Sequence, residues 1–238
     1  MKKLGLSLFC ITLLVSGAKA QFRLGPEIGL NISNINQTGG TTSTGGNIGS
    51  ILGLLSTYSN TYGARLGICI EYAFNDKLSI QSGLYYSMMG AKLASTGISY
   101  GGYNIRIGES SINLNYVHIP INIVYKIDAG PGKFFIGAGP YISYGIGGTE
   151  KVGAITVDTI TIPSTSQSVS FGSDSTSLKA LDYGINAIAG YELSNGLVFK
   201  AGYNYGLANF SNVNGTTDML IHVLCTVSPL VLERLPNP

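Results

Sequence analysis

From Tyr62 to Phe74 every second residue is apolar: Tyr62, Ala64, Leu66, Ile68, Ile70, Tyr72 and Phe74 alternate with Gly63, Arg65, Gly67, Cys69, Glu71 and Ala73. Successive side chains of a strand point to opposite faces, so this segment has one continuous apolar face and one small, polar and charged face. After Asn75-Asp76-Lys77 the alternation resumes, with Leu78, Ile80, Leu84, Tyr86 and Met88 set against Ser79, Gln81, Gly83, Tyr85 and Ser87. Two such runs around a short polar turn predict a hairpin of two long strands.

The same period recurs along the chain. It predicts strands at about Phe22–Ile32, Asn113–Ile127, Phe134–Ile146, Leu181–Leu193, Leu197–Leu207 and Met219–Val227, which with the hairpin makes eight. Strands two to three, four to five and six to seven are joined by tight turns. The other connections are longer and polar, chiefly Ser33–Thr61, Ala91–Ser111 and Gly147–Lys179. Alternating connection lengths put one elaborate and one short rim on an up-and-down barrel, the pattern of outer-membrane barrels. Strands of about ten residues are long enough to cross a bilayer at a tilt.

A soluble sandwich also alternates, and charge placement separates the two. Arg23, Glu27, Arg65, Glu71, Lys126, Asp182, Glu192 and Lys200, four basic and four acidic, all fall on the non-apolar faces. An eight-stranded barrel is just wide enough for its interior to be filled by side chains, so these groups are expected to pair inside it as a structural network. On a solvated sheet face they would need no partners, but the many glycines on that face suit a cramped lumen better. Aromatic residues mark both strand ends: Tyr62, Tyr144 and Tyr183 at the long-loop rim, and Tyr72, Phe74, Tyr125, Phe134, Tyr191 and Phe199 at the short-turn rim. Such girdles sit at the two membrane interfaces. The expected fold is all-β, an eight-stranded antiparallel up-and-down transmembrane β-barrel over residues 21–228, with a tail at 229–238.

Residues 1–20 read as a signal peptide: Lys2 and Lys3, an apolar run from Leu4 to Val15, and the small-x-small Ala18-Lys19-Ala20 cleavage form. The run is too short for a membrane-spanning helix, and Cys10 lacks a lipoprotein box. Losing Lys2, Lys3 and Lys19 takes the 14 basic residues to 11 against 12 acidic ones, so the mature chain is slightly acidic and has no footprint for nucleic acid. Cys69 and Cys225 lie in widely separated strands and need not form a bond.

No spacing points to a metal or a cofactor. The two histidines, His118 and His222, are expected on inward faces as members of a hydrogen-bond network. A triad of His118, Glu71 and a loop serine can be drawn, but Glu71 lies near the short-turn rim and His118 toward the other end, so no enzyme is expected. Gly137-Ala-Gly-Pro140 has neither the Lys-Ser/Thr nor the helix of a phosphate loop.

The runs LSIQSGLYYSMMGAK, NYVHIPINIVYKI, FFIGAGPYISY, LDYGINAIAGYEL and YNYGLAN, in that order behind a signal peptide, resemble the PorT-like, porin-family outer-membrane β-barrel proteins. The architecture is similar to OmpX and the OmpA barrel. The resemblance covers about residues 21–209 and implies an integral outer-membrane barrel of mostly undefined role, with no catalytic residues to carry over; the side-chain-filled lumen expected for eight strands adds a structural or surface-interaction role. Through the family's founding member it offers help with protein secretion or transport across the outer membrane as an alternative; a narrow pore or a lipid-modifying enzyme is a more remote alternative outside the resemblance. Outer-membrane lipid, the barrel-insertion machinery and a surface or secretion partner at the long loops are the implied partners. The end departs from the family: the last aromatic is Phe210, and Pro229 is expected to end strand pairing.

Overall fold

The computed structural model describes residues 21–38, 58–100, 102–172, 177–208, 218–231 and 233–234, with the side chains of 21, 35–38, 58, 98, 100 and 209 onward outside the described set. The expected signal peptide, the centre of the first long loop and the side chains of His222 and Cys225 therefore lie outside the described residues.

Eight strands form the wall: β1 (Gln21–Thr38), β2 (Thr61–Ala73), β3 (Leu78–Leu93), β4 (Ser110–Ala129), β5 (Gly132–Val152), β6 (Leu181–Leu193), β7 (Leu197–Gly206) and β8 (Asp218–Val231). Each pairs antiparallel with the next. The ring closes where β8 pairs β1, from Thr38↔Asp218 to Glu27↔Leu230. Closure removes the edge strands, the condition for placing a sheet in lipid.

The alternation read from the sequence is the alternation of the wall. Leu66, Ile68, Ile70, Ile121, Ile123 and Ile136 are among the exposed outer residues, while Arg65, Glu71, Gln81, Asn122 and Lys126 are buried inside. At the short-turn rim the outer aromatics stand in register, as Phe22↔Tyr72 and as Phe134↔Tyr191↔Phe199. Phe22 and Tyr72 rings are 4.8 Å apart, and Tyr72 and Phe74 5.1 Å. Ten residues separate Tyr72 from Tyr62 at the other girdle; at about 3.3 Å per residue and a tilt of about 40° that is about 25 Å, the height of an outer-membrane apolar band.

Three expectations change. The first strand runs on to Thr38, where Ser33 Oγ donates to Gly90 O at 3.0 Å and accepts from Gly90 N at 2.8 Å. The segments 91–111 and 147–179 are not simply loops. Strands β4 and β5 span 20 and 21 residues and rise beyond the girdle. Above them Thr96–Tyr100, Tyr103–Ile107, Ile155–Val157 and Ile160–Ile162 form a second, four-stranded sheet. Hydrophobic alternation fades in the upper parts of β4 and β5, between the girdle and this sheet, where outward Asn113, Thr149 and Lys151 are polar. Finally, Pro229 does not end pairing: it sits opposite Phe199, β8 continues to Val231, and Glu233–Arg234 pairs Arg23 and Leu24. The β1 ladder skips the positions facing Ser228 and Pro229, as it must where a residue has no N–H to give.

The lumen is filled by rings lying over glycines. A Cβ on Gly83 would come within 2.5 Å of Tyr85 ring atoms, and one on Gly145 within 2.4 Å of Phe171. Phe171, with Val169 and Leu178, packs on Met89, Ala91, Leu114 and Tyr116 and caps the lumen at the long-loop end. Gly83→Ala and Gly145→Ala should each cost about 1–3 kcal/mol through overpacking. Gly97→Ala, whose Cβ would meet nothing closer than 3.7 Å, should be near neutral. Urea midpoints of the refolded variants test this ranking.

Candidate functional site: a layered lumen

Burying eight ionisable side chains in a space this narrow is tolerable only if they satisfy one another. The structure brings seven of them into two layers. Nearest the short turns, Lys126 Nζ lies 2.5 Å from Glu71 Oε1 and 2.8 Å from Glu192 Oε2. Arg23 reaches the same two carboxylates, Nη2 to Glu192 Oε1 at 2.5 Å and Nη1 to Glu71 Oε1 at 3.5 Å. This layer holds two cations and two anions.

Four residues farther along β1, at Glu27, is the second layer. Glu27 Oε2 accepts from Lys200 Nζ at 2.8 Å and from Tyr85 Oη at 2.8 Å. Arg65 Nε stands 3.6 Å from Glu27 Oε1, an ion-pair distance beyond hydrogen-bond range. Its guanidinium carbon is 3.8 Å above the Tyr85 ring, so the cation is held partly by the aromatic face. The geometry depends on Gly67. Glu27, Gly67 and Tyr85 are successive partners across β1, β2 and β3, and a Cβ on Gly67 would lie 2.6 Å from Tyr85 Cδ1. The missing side chain is the gap through which the tyrosine reaches the carboxylate. Gln81 links the layers, donating to Glu71 Oε2 at 3.5 Å and accepting from Lys200 at 3.4 Å.

Asp182 is the expected network member that stands apart. Among the described residues it takes part in no ion pair; its side chain interacts with that of Tyr141. It belongs to a third, polar layer, in which His118, Ser143 and Asp182 are cross-strand neighbours on β4, β5 and β6. His118 Nδ1 lies 2.8 Å from Ser143 Oγ, and its ring packs 5.0 Å from that of Tyr141. His118 and Glu71 are not brought together: Glu71 is engaged by Arg23, Lys126 and Gln81. His118 is inward as expected, fully buried beneath the apolar cap. Cys69 is buried as a free thiol. It faces Gly25, whereas Cys225 pairs with Ile32, seven residues away along β1.

The short-turn mouth is a cavity of about 650 Å³ lined by Arg23, Glu71, Lys126, Asp128, Lys133 and Glu192. Beyond it, between Arg65, Tyr85, Asn122 and Lys200, the free space falls to about 10 Å³, room for about one water molecule. The residues that sequence reasoning missed are Tyr85, Gln81, Tyr141 and Ser143. Tyr85 carried a signal, being a bulky aromatic on the polar face of its strand.

In the second layer Glu27 is, among the described residues, the one carboxylate facing two cations. Glu27→Gln should cost about 3–5 kcal/mol, the usual effect of stripping a buried charge of its partner. Lys200→Met should cost less, because Glu27 keeps Arg65 and Tyr85. Urea unfolding of the detergent-refolded variants would show the order, and equal losses would contradict it.

The family comparison agrees with this geometry. Residues 17–212 match the family described as outer membrane protein beta-barrel domain. No curated protein matches the chain. Among solved structures, Ail, the attachment invasion locus protein of Yersinia pestis, is 12% identical with a TM-score of 0.39, covering 89% of this chain and 98% of its own. OprG from Pseudomonas aeruginosa is 11% identical with a TM-score of 0.42, over 91% of this chain and 95% of its own. Neisserial surface protein A is 13% identical with a TM-score of 0.39, over 89% and 97%. Because the family match spans residues 17–212, most of the chain, the protein belongs to the outer membrane protein beta-barrel domain family.

Proposed function

We propose that this protein is a non-conducting outer-membrane barrel with a structural or surface-interaction role, in which the wall anchors and the long-loop side meets partners. The observation that carries the reading is the filled lumen. Two ion-pair layers, a polar layer and an aromatic cap succeed one another along it, and the space between Arg65 and Lys200 is about 10 Å³. A general pore needs an aqueous path, and an eight-stranded wall this full of side chains has no room for one.

A non-enzymatic role is part of the same reading. His118 and Ser143 are in contact, but both are fully buried inside the wall, with the Phe171 cap above them. A nucleophile needs a substrate within bonding reach. Export through a cleaved signal at residues 1–20, outer-membrane lipid and the barrel-insertion machinery belong to the reading as the route and surroundings of such a barrel. The order of sequence runs supports grouping the chain with the PorT-like members. On that resemblance the second reading is an accessory of protein secretion, contacted through the outer loops.

Reconstituted in planar bilayers, the protein should give no discrete single-channel steps. Regular steps in the wild-type protein would overturn the non-conducting reading. If deletion of the protein left cargo delivery to the cell surface unchanged, the secretion reading would fall and the structural one would stand.

A further inference from the structure

The second sheet, above the barrel, is amphipathic. Ile105, Ile107, Ile155, Val157, Ile160 and Ile162 share one face, since Ile160 pairs with Val157 and Val157 with Ile105, and Ile162 with Ile155 and Ile155 with Ile107. Asn104, Arg106, Thr156 and Thr161 alternate with them and take the other face. Ile160 and Ile162 are 72% and 60% exposed, so nothing within the described residues covers that edge of the aliphatic face.

This sheet continues the wall. Leu93↔Ser110 and Thr96↔Ile107 keep one register, as do Ser111↔Lys151 and Ile107↔Ile155. With no residue gained or lost, side-chain parity carries through, and the aliphatic face falls on the side that meets lipid lower down. Between the two apolar zones the outward residues are polar: Lys92 and Glu109, paired at 3.5 Å, with Asn113, Thr149 and Lys151. At one level all three wall strands break, at residues 94–95, 108–109 and 153–154. There Gly108 N donates to Ala154 O at 2.7 Å, and a Cβ on Gly153 would lie 2.2 Å from Gly108 O. The break is thus a crease built on glycines too close to bear side chains.

We propose that the outer sheet seats its aliphatic face on the lipid surface around the barrel, turned outward at the glycine crease, with Arg106 and the threonines left in water. The inference rests on the membrane-barrel reading. Two arguments favour lipid as the occupant. The aliphatic face is on the same side of the same strands as the lipid-facing wall, and the polar strip with Lys92 and Lys151 between them suits the headgroup layer. The face is also small: about 20 by 15 Å from strand spacing and rise, or about 300 Å², well short of the roughly 800 Å² per partner of a standard protein interface. A second copy of the chain would have too little to hold.

The chain has no tryptophan, so single-tryptophan variants of the full-length protein report without background. Ile160→Trp and Ile162→Trp, refolded into phosphatidylcholine vesicles brominated on the acyl chains near the headgroup, should emit to the blue and be quenched. Ile123→Trp on the barrel exterior serves as the membrane reference, and Thr161→Trp should stay unquenched. Red, unquenched emission at 160 and 162 alongside a quenched Ile123→Trp overturns the proposal and leaves the barrel intact. Blue, unquenched emission that depends on protein concentration also overturns it, in favour of self-association. An unquenched Ile123→Trp removes the membrane-barrel reading and this inference with it.

Discussion

The backbone pairing of β8 with β1 is the constraint on which the rest of the structure depends. In hydrocarbon every unpaired N–H or C=O costs several kcal/mol, so a spanning sheet has to close. Closing with eight strands fixes the radius, and the radius fixes the interior. The register from Thr38↔Asp218 to Glu27↔Leu230 therefore decides what the inner face can hold.

What it holds is set by size first and charge second. Large inward rings fit because neighbouring strands offer glycines, as Gly67 and Gly83 do for Tyr85 and Gly145 does for Phe171. Charges fit because they meet partners at once: Lys126 bridges Glu71 and Glu192, and Glu27 receives Lys200 and Tyr85. A buried network of this kind is weak evidence for extra stability, since desolvation offsets much of the attraction. Its physical effect is to occupy the lumen with groups that cannot be rearranged singly.

Much of the wall was legible because lipid imposes a simple rule. The exteriors of the first seven strands read directly as alternation, and all eight charged residues named from that pattern are on inner faces. Which charge meets which was not legible. The partners Glu27 and Lys200 are 173 residues apart, brought together by strand stagger and a glycine gap rather than by local spacing. Asp182 shows the limit: its parity was right, but its height on β6 put it beside Tyr141 instead of a cation. The extensions of β4 and β5 above the girdle were missed for the complementary reason. Once Asn113, Thr149 and Lys151 leave the lipid, the outward face need not be apolar, and only backbone pairing reveals a strand. Pro229 was misjudged because a missing N–H interrupts one ladder and not both.

The most direct test of the central claim, a closed detergent-stable barrel in the outer membrane, is mobility on a denaturing gel with and without boiling, on membranes washed in carbonate. Closure predicts that the protein stays with the membranes and runs faster unboiled than boiled, since an intact barrel remains compact in detergent. An identical mobility in both lanes together with extraction into the soluble fraction would contradict the account, and the apolar exterior would then have to cover a soluble core.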